Sequence, residues 1–161
     1  MATGSEASVQ ELVQREKIRE LVHRYCWSVD RGTLDEVMAL FLDPCDLELV
    51  PGRRYRGKAS VRAWYDRYIQ HRMEALRHLI HNQIITIDGD GALSRSYFDA
   101  VGDLAGESIV AAGFYEDRLR CTGGEWKFAE KLIRLDFIVP LREGWGGKKF
   151  RGGFLEQLTA D

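Results

Sequence analysis

The side chains of this 161-residue chain that could do chemistry are a tyrosine, an aspartate, a histidine and a lysine. Tyr25 and Asp30 lie near the end of an amphipathic N-terminal segment, His78 opens an alternating stretch, and Lys131 lies in the last such stretch. An imidazole, a carboxylate and a phenol in one pocket can remove a proton from an organic substrate. Whether they meet depends on the elements that carry them.

Asp30 lies where a carboxylate is electrostatically disfavoured. The last turn of a helix is the negative end of its dipole, at a cost of about 0.3–1 kcal/mol, so a nearby cation is expected. The alternative is that Asp30 only caps the turn into Arg31 and Gly32. Tyr25 lies about 140° away around the helix, so both side chains border one pocket only if it wraps the helix end. Tyr25 also fits the pattern of a plain core tyrosine.

Two histidines compete for the role of base at the start of the alternating stretch. His78 shares its side of a strand with Asn82, whereas His81 points to the opposite side. Strand parity does not decide which of them faces the interior, and a structural histidine fits either position. No H-x-x-x-H spacing beside a glutamate is present, so no metal site is predicted.

Lys131 is the charged residue most at odds with its surroundings in the sequence. It shares strand parity with the apolar side chains of Ala129, Ile133, Leu135, Phe137 and Val139. Lysines are almost never buried without a partner. We therefore expect Lys131 either to extend to an edge or to point into a pocket that holds an anion, with Asp30 as its counter-charge.

Three helices are predicted to come first. The Ser8–Glu11 pair forms a capping box ahead of an apolar helical face, and Gly32 supplies a helix stop. The Thr33–Glu36 pair makes a second capping box for a helix that includes Phe41 and ends before Pro44. A third helix follows from about Ser60.

Strands are predicted to follow the helices. A short strand at 47–49 pairs with residues 53–56, and longer strands occupy 78–88, 92–101, 109–120 and 125–139. The four longer strands are joined by tight connections, which indicates an antiparallel meander. Helices followed by a meander predict an α+β fold in which the helices cover one face of a curved sheet.

Composition limits the classes of function. A net charge of −2 and a pI near 6.1 do not give the positive field that nucleic-acid binding needs. The three cysteines form no CxxC pair, which favours a reducing cytoplasm and predicts neither disulfides nor zinc. No export signal and no apolar run of the ~20 residues that a bilayer requires is recognisable. One domain, 1–161, is predicted, with a core of about 10–145 and a glycine-rich tail, 146–161.

Seven segments, in this order and spacing, resemble the SnoaL-like family of the nuclear-transport-factor-2-like superfamily. They are Arg15–Tyr25, Asp30–Gly32, Leu40–Phe41, Tyr55–Gly57, His78–Asn82, Glu125–Phe128 and Phe137–Leu141. The resemblance covers about residues 10–145. It implies a cone-shaped α+β barrel, in which three N-terminal helices pack in a strongly bent, mostly antiparallel sheet around a deep apolar pocket.

Within that family the spacing is most similar to hexachlorocyclohexane dehydrochlorinase, scytalone dehydratase and bile-acid dehydratase. The resemblance implies that His78 is a base held by Asp30 and that Tyr25 donates to a carbonyl or a leaving hydroxyl. Lys131 stands where the dehydrochlorinase has an arginine, and the resemblance implies that it stabilises negative charge. No metal or organic cofactor is implied.

The predicted function is therefore that of a dehydratase-like lyase or an isomerase, which takes a proton from an apolar cyclic small molecule. Trp64, Tyr68, Asn82 and Phe114 are candidates for binding this substrate, although an aromatic residue at such a position is equally compatible with plain core. A non-catalytic ligand-binding protein and the small structural subunit of a ring-hydroxylating dioxygenase remain alternatives.

The resemblance also implies a homo-oligomer, either a trimer or a dimer, packed through the outer face of the sheet. Trp126 and Phe128 have strand parity opposite to Lys131 and are the candidate contacts. No nucleic-acid or membrane partner is expected.

Overall fold

The computed structural model describes residues 4–50, 52–70, 75–104 and 106–143. The helices are α1 (Gly4–Arg31), α2 (Leu34–Ala39) and α3 (Lys58–Tyr65), and α3 continues as a π-helical segment, Asp66–Gln70. The strands are β1 (Phe41–Val50), β2 (Arg53–Arg56), β3 (Arg77–Asp88), β4 (Gly91–Leu104), β5 (Glu107–Thr122) and β6 (Glu125–Pro140). The predicted glycine-rich tail, 146–161, lies outside the described residues.

The strands form one curled, unclosed sheet with the order β2-β1-β6-β5-β4-β3. The predicted meander from β3 to β6 is confirmed, and each of its neighbouring pairs is antiparallel. β1 runs parallel to β6, which makes the sheet mixed. The predicted α+β class is thereby confirmed, with the helices before the long strands.

The helices depart from the sequence prediction in two places. α1 begins at Gly4, so Ser8 lies inside the helix and the predicted capping box does not begin it. The capping box of α2 is formed as predicted, with Glu36 accepting from the Thr33 N–H at 2.6 Å. This second helix ends at Ala39, because Phe41 already belongs to β1, where it pairs with Phe128.

α1 runs along the free edge of β3 in the opposite direction. Near its start, the Arg15 guanidinium donates a hydrogen bond of 2.7 Å to the Ile85 carbonyl. At its end, Asp30 accepts one from the His78 backbone N–H. The free edge of a sheet leaves backbone groups without strand partners. The helix therefore satisfies backbone groups that the sheet leaves unpaired, and the end of α1 is fixed against the start of β3.

Two bulges in β6 change which residues face the helices. The pairings Leu119↔Phe128 and Arg118↔Glu130 leave Ala129 as an extra residue, and Gly113↔Leu135 with Ala112↔Phe137 leave Asp136 as another. A bulge shifts the alternation of side chains by one position. A constant period of two along β6 was therefore a wrong assumption.

The prediction that Trp126 and Phe128 form an exposed oligomer contact is wrong for the same reason. Before the first bulge both side chains are buried in the main core, and the Trp126 indole N–H donates to Gln14 on α1 at 2.8 Å. Beyond the second bulge, Phe137 and Val139 leave that core and belong to a separate apolar cluster with Ala112.

None of the helices among the described residues is long and apolar enough to cross a membrane.

Candidate active site

Among the buried and partly buried residues that the structure describes, Asp30 and His78 form the closest contact between titratable side chains. The Asp30 Oδ1 lies 2.6 Å from the His78 Nδ1, and the Asp30 Oδ2 accepts the His78 backbone N–H at 2.8 Å. Each of the two side chains is only 10% exposed. Because both carboxylate oxygens bind one residue, the imidazole has a fixed position and a fixed ring orientation.

This contact resolves two alternatives that the sequence left open. The carboxylate of Asp30 reaches the imidazole and the edge strand rather than only its own turn. Of the two strand histidines, His78 faces the interior, whereas His81 is exposed and pairs with Asp99 at 3.2 Å. With Nδ1–H donating to a carboxylate, the Nε2 of His78 carries a lone pair and can accept a proton.

His78 borders an apolar cavity enclosed by α1, α3 and the inner face of the sheet. The cavity offers about 90 Å³ to the centres of water-sized molecules. Its described apolar lining consists of Val29, Leu49, Ile69, Leu76, Phe98, Ala100, Ile109, Ala111, Ile133, Leu135 and Ile138. The other described lining residues carry a polar atom: Tyr25, Trp64, Tyr68, His78 and Tyr115. A compact apolar molecule with very few polar groups matches such a lining.

A second hollow lies on the outer side of the same pair. It offers about 460 Å³ to the centres of water-sized molecules, and Asp30 and His78 both line it. Cys26, Trp27 and Arg77 are among its other walls. The imidazole thus separates an outer hollow from the inner cavity. Burial raises the pKa of the Cys26 thiol to about 12, so this thiol is protonated at neutral pH.

Tyr25 lines the inner cavity, and its hydroxyl makes a hydrogen bond with a second tyrosine. The Tyr25 and Tyr65 hydroxyl oxygens lie 2.9 Å apart, a hydrogen bond in which either can donate. Burial raises the pKa of both phenols above the ordinary value. Two hydroxyl groups share one hydrogen bond, so one of the two protons remains for another acceptor.

Lys131 is buried as its apolar parity suggested, but the predicted counter-charge is wrong. Its ammonium binds both carboxylate oxygens of Asp117 at 3.1 Å, and both side chains are fully buried. The Lys131 Nζ also lies 4.0 Å from the ring centre of Tyr25, 3.8 Å from that of Tyr115 and 4.8 Å from that of Phe128. Lys131 is not among the cavity-lining residues, since these rings surround its charge.

Burial governs the ionisation of this pair. Loss of hydration raises the pKa of the Asp117 carboxyl to about 6 in spite of the neighbouring ammonium. The same loss of hydration lowers the pKa of Lys131. The aromatic rings compensate part of this cost, because a cation is attracted to the face of a ring.

The four predicted substrate-binding residues fall into two groups. Trp64 and Tyr68 line the cavity. Asn82 and Phe114 do not. Asn82 is exposed at a bulge where β3 gains a residue over β4, and its φ of 48° is left-handed. Phe114 points away from the cavity, because its neighbour on β5, Tyr115, points inwards.

Asp117, Tyr115 and Tyr65 were missed by the sequence reasoning. Asp117 lies on β5 with the same parity as Ile109, Ala111 and Tyr115, all of which are buried. The argument that singled out Lys131, a charge on an apolar parity, applies equally to Asp117. Pairing two such charges on neighbouring strands would have identified the buried ion pair.

No group of three or more side chains suited to hold a metal ion occurs in the part of the chain that the structure describes. The described cavity lining contains a single imidazole and no carboxylate.

A curled, unclosed mixed sheet that packs against N-terminal helices around an apolar cavity is the arrangement of the cone-shaped α+β folds. The SnoaL-like domain model matches residues 10–131, and the chain belongs to this family. The resemblance inferred from the sequence is thereby confirmed. The chain matches no curated protein sequence.

Solved structures of the same fold include two kinds of lyase by name. A hexachlorocyclohexane dehydrochlorinase from Novosphingobium barchaimii has 19% identity and a TM-score of 0.75, over 89% of this chain and 98% of the other. A candidate scytalone dehydratase from Novosphingobium aromaticivorans has 21% identity and a TM-score of 0.77, over 83% and 91%. A candidate aromatic ring hydroxylase from the same organism has 22% identity and a TM-score of 0.74, over 82% and 96%. At these identities the similarity establishes the fold.

Proposed function

We propose that this protein is a cofactor-free lyase or isomerase in which His78 removes a proton from an apolar cyclic small molecule. The observation that carries the proposal is the 2.6 Å contact between the Asp30 Oδ1 and the His78 Nδ1, with His78 lining an apolar cavity. The membership of the SnoaL-like family, whose fold includes lyases, supports it.

The proposed step is a proton transfer from carbon to nitrogen. The His78 Nε2 takes the proton from a carbon next to a carbonyl, and the C–H electron pair becomes the double bond of an enolate. The carbonyl electron pair moves to the oxygen. The imidazolium that forms is stabilised by the Asp30 carboxylate, which accepts from Nδ1 throughout.

Two outcomes follow from this common intermediate. If the carbon next to the deprotonated carbon carries a hydroxyl or a halide, the enolate expels this group and the reaction is an elimination. If that carbon carries no leaving group, His78 returns the proton to a different carbon and the reaction is an isomerisation. Tyr25 lines the cavity. If Tyr65 donates in the hydrogen bond between the two hydroxyls, Tyr25 keeps its own proton and can donate it to a leaving oxygen.

The test compares two His–Asp pairs within this chain. We expect His78→Ala and Asp30→Asn to lower turnover of cyclic hydroxy-ketones, and deuterium exchange next to the carbonyl of 1-tetralone, by about 10²–10⁴-fold, the contribution of a positioned base. His81→Ala and Asp99→Asn remove the exposed pair of the same type and serve as matched controls. Equal rates in all five proteins, wild type included, would refute the proposal.

A non-catalytic ligand-binding protein is the second candidate, and the nearly uniform apolar lining of the cavity favours it. In that case hydrocarbons and ketones of the same shape bind equally, and no product or deuterium exchange appears with the wild type.

A structural subunit of an aromatic ring hydroxylase is the third, suggested by the name of one protein of the same fold. Purification from the native host would then yield a stable complex with a larger iron-containing chain. Turnover by the isolated chain would exclude this role as its sole function. The cytoplasmic location inferred from the sequence remains a prediction.

A further inference from the structure

The Tyr115 ring is held between two neighbouring groups, and the sequence did not indicate either contact. It lies on the inner face of β5, and Phe98 of β4 stacks on it with ring centres 4.3 Å apart and an interplanar angle of 12°. The Lys131 ammonium lies 3.8 Å from the centre of the same ring. A stacked ring and a cation at these distances cannot share one face, so Phe98 and Lys131 hold the Tyr115 ring from opposite faces.

The Tyr115 hydroxyl has no hydrogen-bond partner among the residues that the structure describes. Among these residues, Ser96 Oγ is the side-chain polar atom that is both fully buried and without a hydrogen-bond partner. The Tyr115 oxygen also lacks a partner, so it is not fully enclosed by protein atoms. The residue as a whole is 1% exposed and lines the inner cavity. The hydroxyl has access to the cavity itself, in contrast to Tyr25, whose hydroxyl is bonded to that of Tyr65.

A buried hydroxyl without a partner in an apolar cavity indicates a missing acceptor. Desolvation of an unpaired polar group costs about 1–3 kcal/mol, which a ligand oxygen could recover. The Lys131 charge over the ring withdraws electron density from it and makes the O–H a stronger donor. Burial raises the pKa of Tyr115 well above its ordinary value, so the group remains a donor at any working pH.

We propose that the Tyr115 hydroxyl is a further catalytic donor of this cavity and binds the carbonyl oxygen of the ligand. This inference rests on the proposed function and adds a residue to it. When the His78 Nε2 takes the proton from the carbon next to the carbonyl, negative charge develops on the oxygen. Tyr115 keeps its proton and stabilises this charge through the hydrogen bond, as a fixed donor does in an oxyanion hole.

The experiment uses 1-tetralone and its oxygen-free analogue tetralin as probes. Both ligands are titrated calorimetrically into wild type, Tyr115→Phe, Tyr25→Phe and Tyr97→Phe. Tyr97 is an exposed tyrosine outside the cavity and gives the matched control. The carbonyl stretching band of bound 1-tetralone is recorded by infrared difference spectroscopy, because its position reports a hydrogen bond to that oxygen directly.

We expect Tyr115→Phe to weaken 1-tetralone binding about 3- to 10-fold, the range for one neutral hydrogen bond, and to leave tetralin binding unchanged. The carbonyl band should lie at lower frequency in wild type and Tyr97→Phe than in Tyr115→Phe. An unchanged preference for the ketone in Tyr115→Phe overturns the proposal. So does a band shift that disappears in Tyr25→Phe instead, or a wild type that does not bind 1-tetralone.

A fifth protein, His78→Ala, separates this proposal from the catalytic one. If both are correct, His78→Ala loses deuterium exchange and retains the shifted carbonyl band. Full exchange in His78→Ala together with a band that depends on Tyr115 refutes the base and supports the ketone site. Lost exchange in His78→Ala with a band that is independent of Tyr115 supports the base and refutes the ketone site.

Discussion

At the scale of single residues, the contacts of Asp30 explain why a carboxylate is found at an unfavourable place in the chain. A carboxylate in the last turn of a helix is disfavoured by the dipole. Here it accepts one hydrogen bond from a backbone N–H and makes a second contact with an imidazole, at 2.8 and 2.6 Å. Charge-assisted hydrogen bonds of this kind are stronger than neutral ones. The start of β3 therefore holds the Asp30 carboxylate, and this carboxylate in turn orients the His78 imidazole.

Asp117 carries a pH dependence of stability that can be measured. Burial raises its carboxyl pKa from 3.8 to about 6, so the folded protein binds more protons than the unfolded chain between these pH values. The contribution of Asp117 to the free energy of unfolding is therefore fully present below pH 4. It decreases as the pH rises towards about 6, by about 1.4 kcal/mol for each unit of pKa shift.

The measurement is urea unfolding of wild type and Asp117→Asn at several values between pH 4 and pH 6. We expect the stability advantage of the wild type over Asp117→Asn to shrink steadily across this window. Asp88→Asn, an exposed carboxylate at the end of β3, gives the matched control. A constant difference between wild type and Asp117→Asn would show that the buried carboxyl titrates with its ordinary pKa.

At the scale of elements, the bulges of β3 and β6 decide which side chains reach the cavity. The extra residue at Asp136 lets Leu135 and Ile138 both line the cavity although they lie three positions apart. The bulge after His81 turns Asn82 outwards and Ile85 inwards. Bulges also bend and twist a strand. The same irregularities therefore serve both the curvature of the sheet and the composition of the cavity.

Gly113 is the position where the second bulge of β6 leaves no room for a side chain. A Cβ added there would lie 2.0 Å from the Arg134 carbonyl oxygen, which is backbone and cannot move aside cheaply. We expect Gly113→Ala to destabilise the protein by about 1–3 kcal/mol or more, the usual cost of overpacking. The check is the shift in the midpoint of thermal or urea unfolding.

Gly91→Ala is the control for this substitution, since its new Cβ would approach Asp88 O no closer than 3.4 Å. A small change for Gly91→Ala and a large one for Gly113→Ala are expected. If Gly113→Ala is as stable as Gly91→Ala, the close packing of β5 against the bulge is not a constraint on the fold.

At the scale of the whole molecule, exposed apolar side chains gather on the outer side of the β3–β4 edge. Leu79, Ile84 and Tyr97 are 43%, 67% and 58% exposed. Tyr97 pairs with Phe114, over which the Arg134 guanidinium lies at 5.8 Å from the ring centre. Large exposed apolar residues in a cluster are typical of protein contacts. A second copy of this chain remains the predicted occupant, with these side chains in place of Trp126 and Phe128.

Sedimentation analysis of the purified protein checks this prediction. We expect a dimer or a trimer for the wild type, and a shift towards monomer for Ile84→Glu and Tyr97→Glu, because a buried unpaired charge is costly. Leu141→Glu places the same charge at an exposed apolar residue in the turn after β6 and serves as control. A monomeric wild type would refute the homo-oligomer altogether, and oligomeric glutamate variants would refute this location for the contact.

The sequence by itself determined the order of elements, the meander, the capping box of α2 and the family. Hydrophobic periodicity and turn residues act over a few positions, and these features depend on nothing else. It also selected Tyr25, Asp30, His78 and Lys131 as unusual, since a charge or an imidazole in an apolar pattern is visible locally. It left open which histidine faces inwards, and it could not anticipate that Asn82 is turned out.

Only the tertiary structure decided the partners. Lys131 binds Asp117, 14 positions away on the neighbouring strand, because β5 and β6 pair in a register that two bulges have shifted. His78 meets Asp30 because α1 lies along the free edge of β3. Register and edge contacts are set by the packing of distant segments, to which no local pattern is sensitive. The unpartnered hydroxyl of Tyr115 belongs to the same category, because only the folded cavity leaves it without an acceptor.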